Sequence, residues 1–411
     1  WNGESMCGIV GYSGPKEPLP ILISGLSRLE YRGYDSAGVA LIDGDNLSIE
    51  KKEGKLSVLK EHLEGTSIKG NIGIGHTRWA THGVPSDVNA HPHADNANEF
   101  AIIHNGIIEN YAELKDDLIQ DDYSFISETD TEVVAVELSK KWNGELLDTV
   151  LDVAKSLDGT YALVVTSTKQ PGTIVAGRMM SPLVLGVGEG EVFLASDSAA
   201  ILEYTNKMIF LENGDFVEIN DGNFTLYDIE KNVITRDIQV IDWEVSEAEK
   251  AGHDHFMYKE ILEQAEVIER TIAGRIEKNS TEIPIHLDKA KKFEKIWIVA
   301  CGTAYHAGLF GKDLFEKVLG VPVSVELASE FRYREPIIGK NDLAIVISQS
   351  GETMDTIAAT ELLKENGSHV LALVNVVGSS LARMADSVFY LHVGPEIGVA
   401  STKAYLGMLV G

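Results

Sequence analysis

The sequence has 411 residues, which is enough for two or three domains with full hydrophobic cores. Its hydrophobic fraction of 44% and its 38 glycines are typical of a soluble globular α/β protein. The formal net charge of −28 argues against a nucleic-acid-binding protein, because binding to a phosphate backbone depends on Lys and Arg side chains.

The two cysteines, Cys7 and Cys301, lie far apart in the chain and have no metal-ligand spacing, so we expect a reduced, cytoplasmic protein. Cys301 ends an apolar run and is expected to be a buried structural residue. No apolar run approaches the roughly 18 residues of a membrane span, and the N-terminus lacks the pattern of a signal peptide. We expect residues 1–6 to be extra residues that end in an initiator methionine, and the apolar helix at 404–411 to continue beyond the chain.

Residues 8–240 show short strand patterns separated by turn residues, with a few helices. Apolar residues at helical spacing predict helices at 20–31, 130–142 and 146–157. Alternating or continuous apolar runs predict strands at 38–43, 71–76, 100–104, 161–166, 172–176, 183–188, 191–195, 215–219 and 224–227. Because most of these strands are joined by short turns, we expect antiparallel sheets packed in layers with helices outside.

The stretch 242–289 is strongly charged, with a predicted helix at 255–276 and no strand signal, and we interpret it as a linker. Beyond it, short β-branched runs at 296–300, 321–327, 343–348, 369–375 and 388–393 alternate with predicted helices at 303–319, 353–366 and 379–385. This alternation indicates a parallel, doubly wound sheet. The predicted fold class is therefore α/β, with an antiparallel α+β part followed by a doubly wound α/β part.

Cys7 directly follows Met6 and precedes Gly8-Ile9-Val10-Gly11. One interpretation is a small buried residue at the start of a strand. The other is a nucleophile that becomes the first residue of the mature chain. Its own α-amine, with an ordinary pKa of about 7.7 to 8.0, would then serve as the base.

Three polar clusters in the first half could supply what such a nucleophile needs. Arg78 follows a predicted strand and could hold a carboxylate, or make a surface ion pair. Asn105 and Gly106 could form an oxyanion hole, although Asn-Gly is also a strong turn signal. Asp130 lies in Ser127-Glu128-Thr129-Asp130-Thr131-Glu132, where helix capping is the default role, but its carboxylate could receive an ammonium group. Together these groups fit hydrolysis of the side-chain amide of free glutamine.

The motifs Cys7-Gly8-Ile9-Val10-Gly11, Tyr31-Arg32-Gly33-Tyr34-Asp35-Ser36-Ala37-Gly38, His76-Thr77-Arg78-Trp79-Ala80-Thr81-His82-Gly83, His104-Asn105-Gly106 and Ser127-Glu128-Thr129-Asp130 resemble class II glutamine amidotransferases. The resemblance implies a four-layer αββα sandwich of the N-terminal-nucleophile type. It also implies that Cys7 is the nucleophile, that Arg78 and Asp130 bind the glutamine α-carboxylate and α-amine, and that Asn105 with Gly106 stabilises the oxyanion. By the same resemblance Trp79 gates an ammonia channel, while Thr81 and His82 line the glutamine pocket.

In the second half, Ala300-Cys301-Gly302-Thr303-Ala304 and Ser348-Gln349-Ser350-Gly351-Glu352-Thr353 each join a predicted strand to a predicted helix. Backbone N–H groups at helix N-termini, with Ser and Thr hydroxyls, can hold a phosphate without Lys. Ser350 and Thr353 could equally be helix caps, and capping does not exclude phosphate contact. Two such junctions at the carboxyl ends of one sheet favour a ligand cleft.

These junctions resemble the sugar isomerase (SIS) module of the amidotransferases that make glucosamine 6-phosphate. The resemblance implies that fructose 6-phosphate is held by Thr303, Ser348, Gln349, Ser350 and Thr353, with Val399 and Ser401 nearby. Ala304 stands where many relatives have Ser, which removes one hydroxyl contact. The family's second SIS module and C-terminal tail, which supply the isomerisation base and the Schiff-base lysine, are not among these 411 residues.

We therefore expect a glutamine-dependent enzyme that uses glutamine and fructose 6-phosphate, with no metal or organic cofactor and no nucleic-acid or membrane partner. The resemblance also favours a homodimer formed through the SIS domain. The predicted domains are an amidotransferase domain at 7–241, a linker at 242–289 and a first SIS domain at 290–411. Two alternatives remain at this point: another class II amidotransferase, of the phosphoribosyl-transferring or asparagine-forming kind, and a non-catalytic sugar-phosphate sensor.

Overall fold

The structure, a computed structural model, describes residues 7–30, 34–66, 68–79, 82–241, 252–273, 275–277, 280–281, 292–398 and 400–411. The described residues divide into two compact units, the first ending at residue 241 and the second beginning at residue 252. Thr81 and Val399, and Tyr31-Arg32-Gly33 of the amidotransferase motif, lie outside the described residues.

The strands of the first unit form two antiparallel sheets. Its described strands are β1 (Gly8–Ser13), β2 (Ser36–Asp43), β3 (Asn46–Glu53), β4 (Ile72–Arg78), β5 (His93–Ala94), β6 (Phe100–Ile108), β7 (Gly159–Ser167), β8 (Thr173–Met179), β9 (Val184–Val187), β10 (Val192–Ala195), β11 (Lys207–Phe210), β12 (Phe216–Asn220), β13 (Asn223–Tyr227), β14 (Val233–Ile234) and β15 (Gln239–Val240). The first sheet has the order β15-β11-β9-β10-β1-β4-β2-β3, and the second β14-β13-β12-β8-β7-β6-β5.

The described helices of this unit are α1 (Pro18–Leu29), α2 (Leu56–Glu64), α3 (Tyr111–Gln120), α4 (Asp130–Lys140) and α5 (Leu146–Ala154). The two sheets bury a shared apolar core that includes Ile9, Ile74 and Ile103. On its other face, the second sheet packs through Phe100 and Ile102 against α4 and α5, while α1 and α2 contact strands of the first sheet. The result is the expected four-layer αββα sandwich.

The second unit is built around a parallel sheet. Its described strands are β16 (Ile276–Glu277), β17 (Ser280–Thr281), β18 (Lys295–Ala300), β19 (Val323–Leu327), β20 (Asp342–Ser348), β21 (His369–Val374) and β22 (Ser387–Tyr390). Its described helices are α6 (Phe256–Leu262), α7 (Gln264–Ile272), α8 (Gly302–Leu319), α9 (Ala328–Phe331), α10 (Met354–Glu365), α11 (Ser380–Met384) and α12 (Lys403–Val410). Five of these strands form the parallel sheet, in the order β19-β18-β20-β21-β22.

Helices cover both faces of this parallel sheet, as a doubly wound fold requires. One apolar core joins the sheet to α7, α8 and α12, and the other joins it to α9, α10 and α11. The helical pattern expected at 255–276 is present as α6 and α7, and Thr271 on α7 donates its hydroxyl to the carbonyl of Leu391 at 2.8 Å. These two helices therefore pack as part of the second unit. None of the described helices is both long and apolar enough to span a bilayer.

Candidate active site

The apolar surface between the two sheets of the first unit becomes polar at one end. Side chains alternate between the faces of a strand. On β4, Ile74 lies in the inter-sheet core, and His76 and Arg78 follow it on the same face. On β6, Ile103 lies in that core and Asn105 follows it. The same alternation that builds the core therefore brings these polar groups together.

Cys7 lies immediately before β1, two residues from Ile9 of the inter-sheet core. Its thiol is half-buried. The backbone N–H of Trp79 donates to Sγ at 3.1 Å, and the amide Nδ2 of Asn105 donates to the Cys7 carbonyl at 2.9 Å. The cysteine is thus held from both sheets, with its sulfur at a pocket rather than in the apolar core.

Asn105 and Gly106 lie inside β6, which continues to Ile108, so the turn interpretation of Asn-Gly is wrong. The paired strand β7 runs alongside, with Gly106 opposite Tyr161. Gly106 has a φ of +130°, and a Cβ at this position would lie 2.1 Å from the carbonyl oxygen of Thr160. Only glycine fits both the conformation and the space.

Arg78 ends β4 and is 3% exposed, so its interpretation as a surface ion pair is wrong. Its Nη2 donates to the carbonyls of His82 and Gly83. The other terminal nitrogen, Nη1, is 3.7 Å from Asp35 Oδ1. This Nη1 has no hydrogen-bond partner among the described residues. A buried guanidinium with an unused donor is suited to a carboxylate ligand.

Asp130 is the first residue of α4 and is 4% exposed. Its Oδ2 accepts the backbone N–H of Ile108 at 2.9 Å, and the hydroxyl of Thr131 is 3.3 Å from its Oδ1. The helix cap is its neighbour Thr129, whose hydroxyl accepts the N–H of Glu132. Asp130 is therefore not needed as the cap, and its carboxylate lies at the pocket.

The pocket collects residues from separate segments of the first unit. It is lined by Cys7, Arg78, Trp79, His82, His91, His104, Gly106, Thr129, Asp130 and Thr131. His104, Thr129 and Thr131 were named from the sequence only as members of motifs, without a role in a glutamine pocket, and His91 was not named at all. A signal existed, because five of the 12 histidines fall between residues 76 and 104, namely His76, His82, His91, His93 and His104.

Four of these histidines form a buried cluster, and two of them, His91 and His104, line the pocket. Ring centroids are 4.3 Å apart for His76 and His91, and 4.8 Å apart for His91 and His93. The hydroxyl of Thr131 lies 2.9 Å from His91 Nε2 and 3.0 Å from His104 Nδ1. Burial lowers the pKa of His76 to about 3 and also lowers the pKa of His91, His93 and His104, so the cluster is neutral.

The remaining predicted glutamine-site residues follow Arg78 in the chain. Trp79 is 45% exposed. His82 is half-buried, and its ring meets that of Tyr111 edge-on at 5.1 Å. Both Trp79 and His82 line the pocket, whereas Thr81 lies outside the described residues. No group of three or more His, Cys, Asp or Glu side chains in the described part of the chain could hold a metal ion.

In the second unit, the predicted sugar-phosphate residues follow two adjacent strands. The strand β18 lies between β19, which follows it in the chain, and β20, so the strand order reverses at β18. In open α/β sheets, ligands bind outside the carboxyl ends of strands at such a reversal. Thr303, in the first turn of α8, follows β18, and Ser348 ends β20.

The loop from Ser348 to Thr353 is ordered by its own hydroxyl groups. Ser348 Oγ accepts the N–H of Gly351 at 3.0 Å and lies 3.1 Å from Thr353 Oγ1. Ser350 Oγ accepts the N–H of Glu352 at 3.2 Å. Thr353 occupies the N-cap position of α10, but its side chain makes no cap hydrogen bond, so the capping interpretation is wrong for this residue.

Other loops meet this edge of the parallel sheet. The backbone N–H of Asn375 donates to the carbonyl of Gln349 at 3.1 Å, and Asn375 Nδ2 donates to the carbonyl of Gly394 at 2.8 Å. The Ser401 hydroxyl donates to Glu396 Oε2 at 2.8 Å, which places it within its own loop. Val399 lies outside the described residues. Cys301, between β18 and α8, is only partly buried, and burial raises the pKa of its thiol.

Comparisons with known proteins identify both units. A family model for a glutamine amidotransferase domain matches residues 60–241, and one for an SIS domain matches residues 289–410. A protein of Caldanaerobacter subterraneus subsp. tengcongensis, named glutamine--fructose-6-phosphate aminotransferase [isomerizing], is 51% identical over 98% of this chain. A protein of Aquifex aeolicus with the same name is 48% identical over 98% of the chain. The chain spans 67% and 68% of the lengths of these two relatives.

Among solved structures, a glutamine phosphoribosylpyrophosphate amidotransferase from B. subtilis matches with a TM-score of 0.50 at 18% identity. The match covers 94% of this chain and 90% of that one. A structure described as the allosteric regulatory enzyme of purine biosynthesis matches with a TM-score of 0.51 at 19% identity, covering 90% of this chain and 80% of that one. At these identities the likeness concerns the fold alone.

Proposed function

The chain belongs to the family of glutamine–fructose-6-phosphate aminotransferases, and we propose that the pocket beside Cys7 is its glutaminase site. The observation that carries this assignment is the pairing of Arg78 and Asp130 at one small pocket with the thiol. A buried cation with an unused donor and a buried carboxylate match the α-carboxylate and α-ammonium of a free amino acid. Glutamine bound this way would extend its side-chain amide toward Cys7.

Cys7 acts as the nucleophile in this proposal. In a chain whose first residue is Cys7, the α-amine takes the thiol proton and Sγ attacks the amide carbon of glutamine. The N–H of Trp79, 3.1 Å from Sγ, stabilises the thiolate. The proton then passes from the α-amine to the leaving nitrogen, which departs as ammonia. Water hydrolyses the remaining thioester to glutamate and frees the thiol.

The negative oxygen of the tetrahedral intermediate is proposed to lie at Asn105 and Gly106. The Asn105 amide already directs Nδ2 toward the backbone of Cys7 at 2.9 Å. Donors fixed in a strand need no rearrangement when charge develops, which is the property that makes an oxyanion hole effective. The chemistry uses a thiol, an amine and water, so the proposal includes no metal or organic cofactor.

Trp79, Thr81 and His82 complete the proposed glutamine site. Trp79 is the proposed gate for ammonia, a role supported by its exposed side chain beside the nucleophile. His82 is proposed to line the glutamine pocket, and its carbonyl, with that of Gly83, positions the Arg78 guanidinium. Thr81, which lies outside the described residues, is proposed as a pocket residue on the family resemblance alone.

The second unit is proposed to bind fructose 6-phosphate through Thr303, Ser348, Gln349, Ser350 and Thr353, with Val399 and Ser401 nearby. Support comes from the reversal in strand order at β18 and β20 and from the uncapped N-terminus of α10. Gly302 and Gly351, with φ of +56° and +67°, let the backbone turn sharply at both junctions. In the proposed overall reaction, hydrolysis of glutamine at Cys7 gives glutamate and ammonia, and the ammonia reacts with fructose 6-phosphate to give glucosamine 6-phosphate and water.

This function corresponds to a glutaminase domain at 7–241, a connecting segment at 242–289 and an SIS domain from 290. We also propose a cytoplasmic enzyme that forms a homodimer through the SIS domain. A stripe of exposed apolar side chains on α8 supports self-association: Phe310, Leu314 and Val318 are 57%, 48% and 68% exposed and lie four residues apart on one helix face.

The alternatives fit less well. A phosphoribosyl-transferring or asparagine-forming amidotransferase would not account for the matched SIS domain or for relatives at about 50% identity that are named as fructose-6-phosphate aminotransferases. A sugar-phosphate sensor would have no need for Cys7, Arg78 and Asp130 at one pocket, with Asn105 hydrogen-bonded to the Cys7 carbonyl.

The proposal is tested by comparing two chains, one whose first residue is Cys7 and one that retains residues 1–6. Only the first has a free amine beside the thiol, so we expect glutamate release from glutamine in the first chain and none in the second. Cys7→Ala in the first chain should abolish the activity. Equal rates in the two chains would refute the N-terminal base, and no activity in either would refute the glutaminase assignment.

A further inference from the structure

His76 is a buried residue of β4 that does not line the pocket but contacts the proposed oxyanion residue. It is 0% exposed. Its Nε2 lies 2.9 Å from Asn105 Oδ1 and 3.0 Å from the backbone carbonyl of His104. This contact crosses from the first sheet to the second, because His76 belongs to β4 and Asn105 to β6.

The two neighbours of Nε2 determine where the ring carries its proton. A backbone carbonyl can only accept a hydrogen bond, so Nε2 must carry the hydrogen. Nδ1 is buried and has no hydrogen-bond partner in the described part of the chain, as expected for the unprotonated nitrogen of a neutral ring. Burial lowers the pKa of His76 to about 3, which keeps the ring neutral across the physiological range.

A donor at Nε2 in turn determines which way the Asn105 amide points. With Oδ1 toward His76, Nδ2 donates to the Cys7 carbonyl at 2.9 Å. A flipped amide would place N–H against N–H at His76 and oxygen against oxygen at Cys7. We infer that His76 is a positioning residue for the glutaminase reaction: it holds the Asn105 amide with its N–H donors toward the reacting centre.

This inference rests on the proposed glutaminase function and predicts a selective defect. Arg78 and Asp130, which would bind the α-groups of glutamine, do not depend on the contact between His76 and Asn105. His76→Leu should therefore lower kcat about 10- to 100-fold, somewhat less than complete loss of an oxyanion donor, and change KM by less than about threefold. His76→Gln can present an amide N–H near the position of Nε2 and should recover most of the lost kcat.

His93→Leu is the matched control. His93 is also buried, at 2% exposed, and belongs to the same histidine cluster, but its Nε2 pairs with the hydroxyl of Thr129 at 3.0 Å rather than with Asn105. Loss of an imidazole from the cluster as such would affect both Leu variants equally. Loss of amide orientation affects only His76→Leu.

A second measurement uses glutamate γ-semialdehyde, whose carbonyl carbon forms a bond to Sγ while its oxygen takes up the thiol proton. The oxygen of this hemithioacetal would lie at Asn105, so its affinity should fall in His76→Leu by about the same factor as kcat. Glutamate affinity should stay unchanged. This comparison separates positioning from general damage. If the Leu variant does not fold, His76→Asn, whose shorter side chain cannot place an N–H at the position of Nε2, replaces it in both measurements.

All measurements use the otherwise unchanged chain with Cys7 as its first residue. If this chain releases no glutamate from glutamine, the proposed function fails before His76 is tested. If it is active and folded His76→Leu retains its kcat and aldehyde affinity, the positioning role is refuted while the glutaminase assignment stands. Parallel losses in kcat and aldehyde affinity, with partial recovery by Gln, support the positioning role.

Discussion

Acidification should destabilise the first unit through its buried histidines. His76, His91, His93 and His104 are between 0% and 5% exposed, and burial lowers the pKa of each. The groups facing His76 add to this effect, because positive charge on Arg78, His91 or His104 would repel an imidazolium. In the unfolded chain each histidine regains an ordinary pKa near 6.5.

The direction and size of this pH effect on the free energy of unfolding follow from proton linkage. Between pH 6.5 and about 3, the unfolded chain binds a proton at position 76 that the folded chain does not, so stability is complete above pH 6.5 and is lost as the pH falls. One such histidine changes the free energy of unfolding by about 1.4 kcal/mol per pH unit, or about 3 kcal/mol between pH 6.5 and 4.5. Domains are commonly stable by only about 5 to 15 kcal/mol, and the other three histidines act in the same direction.

The assay is urea unfolding at pH 7.0, 6.0, 5.0 and 4.5, followed by circular dichroism, with histidine ring resonances recorded over the same range. His76→Gln removes one titrating group, so its free energy of unfolding should depend less on pH, by about 1.4 kcal/mol per unit below pH 6. A general loss of packing would lower stability at every pH without changing this slope. Identical slopes in the two proteins, or cluster resonances that titrate near pH 6.5 in the folded chain, would refute the reasoning.

Four further predictions concern the two sites. Asn105→Ala should lower the kcat for glutamine hydrolysis about 100- to 1000-fold with little change in KM; a larger change in KM than in kcat would contradict its assignment. Arg78→Met should raise KM for glutamine at least about 30-fold, measured by steady-state glutamate release. Gly106→Ala should unfold the first unit in urea far earlier than the control Gly144→Ala, because both glycines have positive φ but only position 106 lacks space for a Cβ. Ser348→Ala should weaken fructose 6-phosphate binding about tenfold in calorimetry, and unchanged affinity would remove this hydroxyl from the site.

Regular elements with strong periodicity were predictable from the sequence. The helix pattern at 130–142 corresponds to α4 (Asp130–Lys140), and the apolar run at 343–348 to β20 (Asp342–Ser348). Strands and helices rich in polar residues were not predicted from the sequence. One of them is β3, which reads Asn-Leu-Ser-Ile-Glu-Lys-Lys-Glu. Its register is set by pairing along the whole of β2 rather than by its own apolar residues. The helices α2 and α3 were missed for the same reason, since each buries only one or two side chains.

For the candidate site, the residue types indicated the correct functional residues, but the neighbouring sequence predicted the wrong local structure for some of them. Asn105-Gly106 carries a strong turn signal, yet it lies within β6 because tertiary pairing with β7 overrides the local preference. Arg78 on its own suggests a surface position, but it lies at the end of a strand whose other inward residues belong to the core. The contact between His76 and Asn105 could not be read from spacing, because it joins two sheets that the chain reaches separately.

The division of the site between two sheets has a mechanical consequence. Cys7 and His76 belong to segments of the first sheet, Asn105 to the second, and Asp130 to a helix packed on the second. Their relative positions are therefore fixed by the inter-sheet core, in which Ile9 and Ile103 are 0% exposed. A small change in how the sheets pack would move the nucleophile relative to the oxyanion donors but would not alter either sheet internally. Substitutions of core residues next to the site should thus lower kcat before they lower the free energy of unfolding. This is expected where catalysis depends on preorganised geometry.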